Sequence, residues 1–116
     1  MRKISIRAEK CGVEAVAELN DTKSADAVWE KLPIESEAQR WGDEVYFSIP
    51  VKAKPEKPQA KVPFGTIAYW PPGSAFCIFF GQTPYSPVNV LGRIEGDAMA
   101  FAAVEEGEKI RLERPE

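Results

Sequence analysis

Lys3 to Glu9 alternates, with Ile4, Ile6 and Ala8 on one face and Lys3, Ser5, Arg7 and Glu9 on the other. A two-residue period of this kind predicts a half-buried strand. Lys10-Cys11-Gly12 turns the chain, and Val13 to Leu19 predicts a second strand that returns as an antiparallel hairpin. The period then changes. Ala25, Val28, Trp29 and Leu32 fall at i, i+3, i+4 and i+7, which predicts one α-helix over about 23–32 with Lys23, Asp26, Glu30 and Lys31 facing water. Asn20, Asp21 and Thr22 offer N-cap oxygens, Pro33 ends the helix, and Trp29 is expected to supply most of its contact with the sheet.

Glu35 to Arg40 is polar and predicts an exposed strand, followed by a turn at Trp41-Gly42-Asp43-Glu44. Val45 to Val51 predicts the next strand, with Val45, Phe47, Ile49 and Val51 on one side and Tyr46, Ser48 and Pro50 on the other. Pro50 has no ladder donor, so the strand ends or becomes an edge there. The centre of the chain is residues 65–81, which are nearly free of charge and hold five of the twelve Phe, Tyr and Trp residues. They predict two strands, 66–70 and 75–80, apolar on both faces and joined at Pro71-Pro72-Gly73. Val88 to Glu95 predicts a further strand, Asp97 caps a short helical turn over about 98–103, and Glu108 to Glu113 forms the last strand. The expected fold is mainly β: a closed eight-stranded barrel with one clear helix, since closure removes exposed strand edges.

Between strands, Lys52 to Pro63 holds three prolines and four lysines in twelve residues. It is expected to be a solvated loop, either a flap over a groove or a plain connector. At 116 residues the chain forms one domain, 1–116, with a single core. A net charge of −3 and scattered Lys and Arg give no basic stripe, so no nucleic-acid partner is expected. Met1 to Arg7 lacks the apolar stretch of a secretory signal, and Ala75 to Phe80 is too short to span a bilayer. No membrane association is expected, and the expected setting is cytoplasmic, with Cys11 and Cys77 as free thiols. The chain has no histidine, which removes the usual near-neutral acid–base group and the commonest zinc ligand. No metal and no cofactor are expected.

Several segments occur in order: Leu19-Asn20-Asp21-Thr22, Leu32-Pro33-Ile34-Glu35, Arg40 to Phe47, Tyr69 to Gly73 with Ala75 to Gly81, and Pro87 to Arg93. Together they resemble a family of small prokaryotic cyclophilin-like proteins of unassigned biochemical role. The loop Gln82 to Pro87 is shorter than is usual for that family. A fainter resemblance reaches true cyclophilins, prolyl isomerases built on an eight-stranded barrel, through Gly73-Ser74-Ala75-Phe76-Cys77-Ile78 and through Val88 to Gly96. Aligned on Pro50, Phe47 stands where that resemblance implies the catalytic arginine, and Ala75 where it implies a glutamine. Cys77 stands at the pocket phenylalanine and Val88 at the histidine. The resemblance therefore implies the barrel without its intact isomerase chemistry.

Prolyl isomerisation faces a barrier of ~18–20 kcal/mol set by amide resonance. Lowering it calls for a donor to the prolyl nitrogen, which phenylalanine cannot supply. Arg40, beside the turn, is a weak catalytic candidate that would have to swing in. The eight aromatics Trp41, Tyr46, Phe47, Tyr69, Trp70, Phe76, Phe79 and Phe80 exceed one small core face, and Trp70, beside the Pro-Pro turn, is the natural platform for a ligand. The candidate ligand-binding groove is thus Phe47, Trp70, Pro71, Phe76, Cys77 and Val88. Its expected partner is a small molecule or an extended, proline-containing peptide. Weak prolyl isomerase activity and a protein-interaction role through the 52–63 loop stand as alternatives. Asp21, Asp43, Glu44, Glu95 and Asp97 are read as turn and cap residues.

Overall fold

The computed structural model describes residues 2–81 and 87–115, so the part of the short loop at 82–86 lies outside the described residues. Among the described residues, nine strands form one antiparallel sheet. They are β1 (Lys3–Ala8), β2 (Val13–Leu19), β3 (Ile34–Glu37), β4 (Gln39–Trp41), β5 (Glu44–Ser48), β6 (Thr66–Trp70), β7 (Ala75–Phe79), β8 (Asn89–Glu95) and β9 (Lys109–Glu113). The spatial order is β3-β9-β1-β2-β8-β6-β7-β5-β4.

That order explains how the barrel closes. Its outermost strands, β3 and β4, are neighbours in sequence with Ala38 alone between them. The polar stretch expected as one strand therefore splits in two and joins both ends of the sheet. Ala38 is fully buried, its N–H donates to the Glu108 carbonyl, and its own carbonyl accepts from Gly107 N–H. The corner thus loses no backbone hydrogen bond. This split turns the eight expected strands into nine.

Alternation sends Ile4, Ile6, Ala8, Val45, Phe47, Ile67, Tyr69, Phe76, Ile78, Leu91, Ile110 and Leu112 inward, and all are sealed from solvent. Helix α1 (Lys23–Lys31) covers the end where β8 begins. Its buried residues are Ser24, Ala25 and Val28. Trp29 is not the main anchor: it stays half-buried, with the guanidinium groups of Arg114 and Arg2 centred 4.4 and 5.6 Å from its ring. The small Ala25 is what lets α1 sit close, and Trp29 is left at the rim as a cation–π platform. Where β8 finishes, a 3-10 turn over Ala98–Ala103 buries Phe101 and is capped by Asp97.

Thr22 is the helix N-cap, accepting from Ala25 N–H at 3.1 Å. The two preceding free N–H groups, of Lys23 and Ser24, donate to the carboxylate of Glu56, far along the chain. The first turn of α1 is thereby satisfied by a long-range partner that local sequence signals do not reveal.

Candidate functional site

Strand parity divides the central wall into two faces. Val45, Phe47, Tyr69, Phe76 and Ile78 point into the barrel, while Glu44, Tyr46, Ala68, Trp70, Ala75, Cys77 and Phe79 share the outer face. On the outer face Ala68, Ala75, Cys77, Phe79 and Val88 make a second apolar cluster, with Tyr46, Val62 and Trp70 packed against it. A wall apolar on both sides accounts for the unbroken hydrophobic runs at 66–70 and 75–80.

The expected groove residues therefore do not come together. Phe47 and Phe76 stack inside the barrel, ring centroids 5.2 Å apart, and both are fully buried. Trp70, Cys77 and Val88 lie across the sheet on the outer face. The reason is the two-residue period: Phe76 and Cys77 are adjacent in sequence and must point to opposite sides. Cys77 is buried in the outer cluster, and burial pushes its thiol well above the ordinary range, with Glu44 adding to the shift. The thiolate needed for nucleophilic chemistry is disfavoured. Arg40 sits on the inward face of β4, opposite Val45. Its guanidinium donates to the carbonyls of Ala102, Val104 and Gly42 and lies 5.1 Å from the Phe80 ring centre. These bonds hold the 98–103 turn, so Arg40 clamps the barrel end and does not reach toward the outer wall.

The 52–63 segment is a pinned strap. The Tyr69 hydroxyl donates to the Val51 carbonyl at 2.7 Å and accepts from Ala53 N–H at 3.2 Å. Asn89, 1% exposed, donates to the Lys54 carbonyl and to Ser24 Oγ, and accepts from Glu56 N–H. Glu56 accepts from Ser24 Oγ as well as from the helix N–H groups. Those backbone bonds are the leading cause that holds its carboxyl below the ordinary range. Gln59 and Val88 exchange both backbone hydrogen bonds, and Val62 packs into the outer cluster. Composition alone suggests a solvated loop because the anchoring partners lie on α1, β6 and β8.

At one end of the outer wall, Pro55 and Pro58 of the strap meet Pro71 and Pro72 of the β6–β7 turn and Pro87. Together they bound a shallow depression of about 470 Å³. Trp70, half-buried, leads directly into that turn, and its ring lies so close to Gly73 that an added Cβ would stand 2.6 Å from Cζ3. A side chain at position 73 would have to displace the Trp70 ring.

At the other end stands a residue that turn-based reading misses. Glu44 is the first residue of β5, paired with Phe79 on β7 and Trp41 on β4, and it is 6% exposed. Burial raises its carboxyl to about 7, opposed by a hydrogen bond from the Cys77 thiol. The available sequence signal was parity, since Glu44 alternates with Tyr46 and Ser48.

A small antiparallel barrel, with α1 over one end and a second apolar cluster on one outer wall, defines a class. The cyclophilin-like family description matches residues 2–113, and the chain belongs to that family. A hypothetical protein of Archaeoglobus fulgidus, known from its solution structure, is 36% identical with a TM-score of 0.82. The match covers 98% of this chain and 95% of the archaeal one. McbB, solved in complex with tryptophan, is 18% identical with a TM-score of 0.81, and the match covers 96% of this chain and 44% of McbB. That likeness shows a shared fold. No curated protein matches the chain. No helix among the described residues is long and apolar enough to cross a membrane.

Proposed function

We propose that this protein binds a small, planar, apolar molecule in the proline-lined depression beside Trp70. The observation that carries the reading is the convergence of Pro55, Pro58, Pro71, Pro72 and Pro87, from separate segments, on one concave surface. Proline rings are already rigid, so presenting them to a ligand costs little conformational entropy. A depression of about 470 Å³ falls within the ~300–1,000 Å³ range of small-molecule sites. McbB, 44% of which matches this chain, is solved in complex with tryptophan, which favours a small ligand here. A small molecule is favoured over an extended peptide because the strap already covers the middle of the outer wall. Isomerase chemistry is not part of this reading, since neither Phe47 nor Arg40 offers a donor to the depression. Two unpaired cysteines fit a cytoplasmic, reducing setting.

The test is an NMR titration with indole, in parallel with a proline-containing peptide. Indole is expected to move the Trp70 Nε1–H signal and the amides of Gly73, Ser74 and Lys57, and the peptide to move them less. If none of these signals responds up to the solubility limit of indole, the reading is wrong.

A further inference from the structure

Glu44 is out of place where it stands. Its face of the wall is aromatic: Trp41 is its partner on β4, Phe79 its partner on β7, and Tyr46 its neighbour on β5. The titratable groups that share this face are the Cys77 thiol and the Tyr46 phenol. No basic residue of β4, β5 or β7 faces it, because Arg40 lies on the inward face and is committed to carbonyls. The undescribed residues 82–86, Gln-Thr-Pro-Tyr-Ser, contain no Lys or Arg. Burial is the leading cause of the raised carboxyl, and no charged group opposes it. A thiol is a weak donor and a poor substitute for a counter-charge.

A carboxylate with no counter-charge among the described residues, on a sheet face it shares with Trp41, Tyr46 and Phe79, has the chemistry of an ammonium site. The carboxylate supplies charge and hydrogen bonding, and ring faces attract cations through their quadrupoles. We propose that Glu44, with Trp41, Tyr46 and Phe79, forms a recognition site for the ammonium group of a small aromatic amine. The site lies four residues along the wall from the Trp70–Ala75 pair, about 13 Å at ~3.3 Å per residue. It is therefore separate from the proline-lined depression and stands or falls independently of it. Binding an ammonium group favours the ionised acid, so a proton leaves Glu44 as the amine enters.

Benzylamine, cationic throughout the range used, is the probe, and benzyl alcohol is the uncharged control. With a carboxyl at about 7, the ionised fraction rises about 30-fold between pH 5.5 and pH 8, and benzylamine affinity should rise by a similar factor. In carbon-detected NMR of the wild-type protein, benzylamine should lower the titration midpoint of the Glu44 side-chain carboxyl carbon, and benzyl alcohol should not. Glu44→Gln should bind benzylamine with no pH dependence and more weakly at pH 8. A Glu44 carbon that titrates identically with and without benzylamine overturns the site, and this readout needs no variant. Unchanged affinity in Glu44→Gln also overturns it, as do shifts confined to Gly73, Ser74 and Lys57, which would assign the amine to the proline depression. Indole shifts at Trp70 without any benzylamine effect on Glu44 would sink this proposal and leave the proposed function intact.

Discussion

Asn89→Ala should unlatch the strap and destabilise the fold. The Asn89 amide donates to Ser24 Oγ at 3.0 Å and to the Lys54 carbonyl at 2.9 Å, and accepts from Glu56 N–H at 2.8 Å. Each such bond contributes about 1 kcal/mol net, and the groups left behind lie in a site 1% exposed at Asn89 itself. The loss is therefore about 3 kcal/mol, with the Glu56 N–H and the Lys54 carbonyl deprived of their partner. At an unfolding entropy of ~2.1 cal/mol/K per residue, a chain of 116 residues should lose about 12 °C in Tm. Thermal unfolding followed by circular dichroism reads the global effect, and amide exchange at Glu56 and Gln59 reads the strap. Both amides should exchange faster, since Gln59 N–H donates to the Val88 carbonyl directly beside the lost anchor. A Tm drop below about 3 °C with unchanged exchange at Glu56 would show that the strap is held by something other than this amide.

Gly92→Ala should be severely destabilising, because a Cβ there would stand 1.8 Å from the Glu18 carbonyl oxygen, in the strand-to-strand ladder itself. Backbone cannot rotate away as a side chain can, so a loss above ~3 kcal/mol or failure to accumulate folded protein is expected, checked by denaturant unfolding. Wild type and Glu44→Gln should diverge with pH. The folded carboxyl of Glu44 is raised from 4.5 to about 7, so its stabilising contribution is complete below about 4.5 and disappears as pH rises through 7. The full shift corresponds to about 3.4 kcal/mol, of which about 2 kcal/mol falls between pH 5.5 and 8.5, and with half removed for solvent screening about 1 kcal/mol remains in that window. Denaturant midpoints at pH 5.5 and 8.5 should show wild type falling relative to Glu44→Gln, and parallel curves would refute the assignment.

Much of the fold was legible because its signals are local. Hydrophobic alternation in 3–9, 13–19 and 108–113 places these strands, and the helical stripe from Ala25 to Leu32 places α1 to within a residue of its end. The Asp97 cap and the 98–103 turn were equally readable, because a cap and its first turn are encoded within a few residues. The candidate site was less legible. Adjacent Phe76 and Cys77 looked like members of one groove, and a sheet puts them on opposite faces. Arg40 looked available, and three carbonyls from the chain's far end and the next turn occupy it.

The sequence by itself determined which residues prefer strand or helix, that the protein is an all-but-one-helix β domain, and the kinship implied by its aromatic segments. Those properties depend on period and composition. Only the tertiary structure decided that Ala38 closes the barrel, that Glu56 satisfies the start of α1 from thirty-odd residues away, and that Glu44 is buried with no counter-charge among the described residues. Each of these depends on which distant groups meet. A carboxylate at a turn and a carboxylate against a barrel wall look alike in sequence; solvation separates them, and solvation is set by the assembled chain.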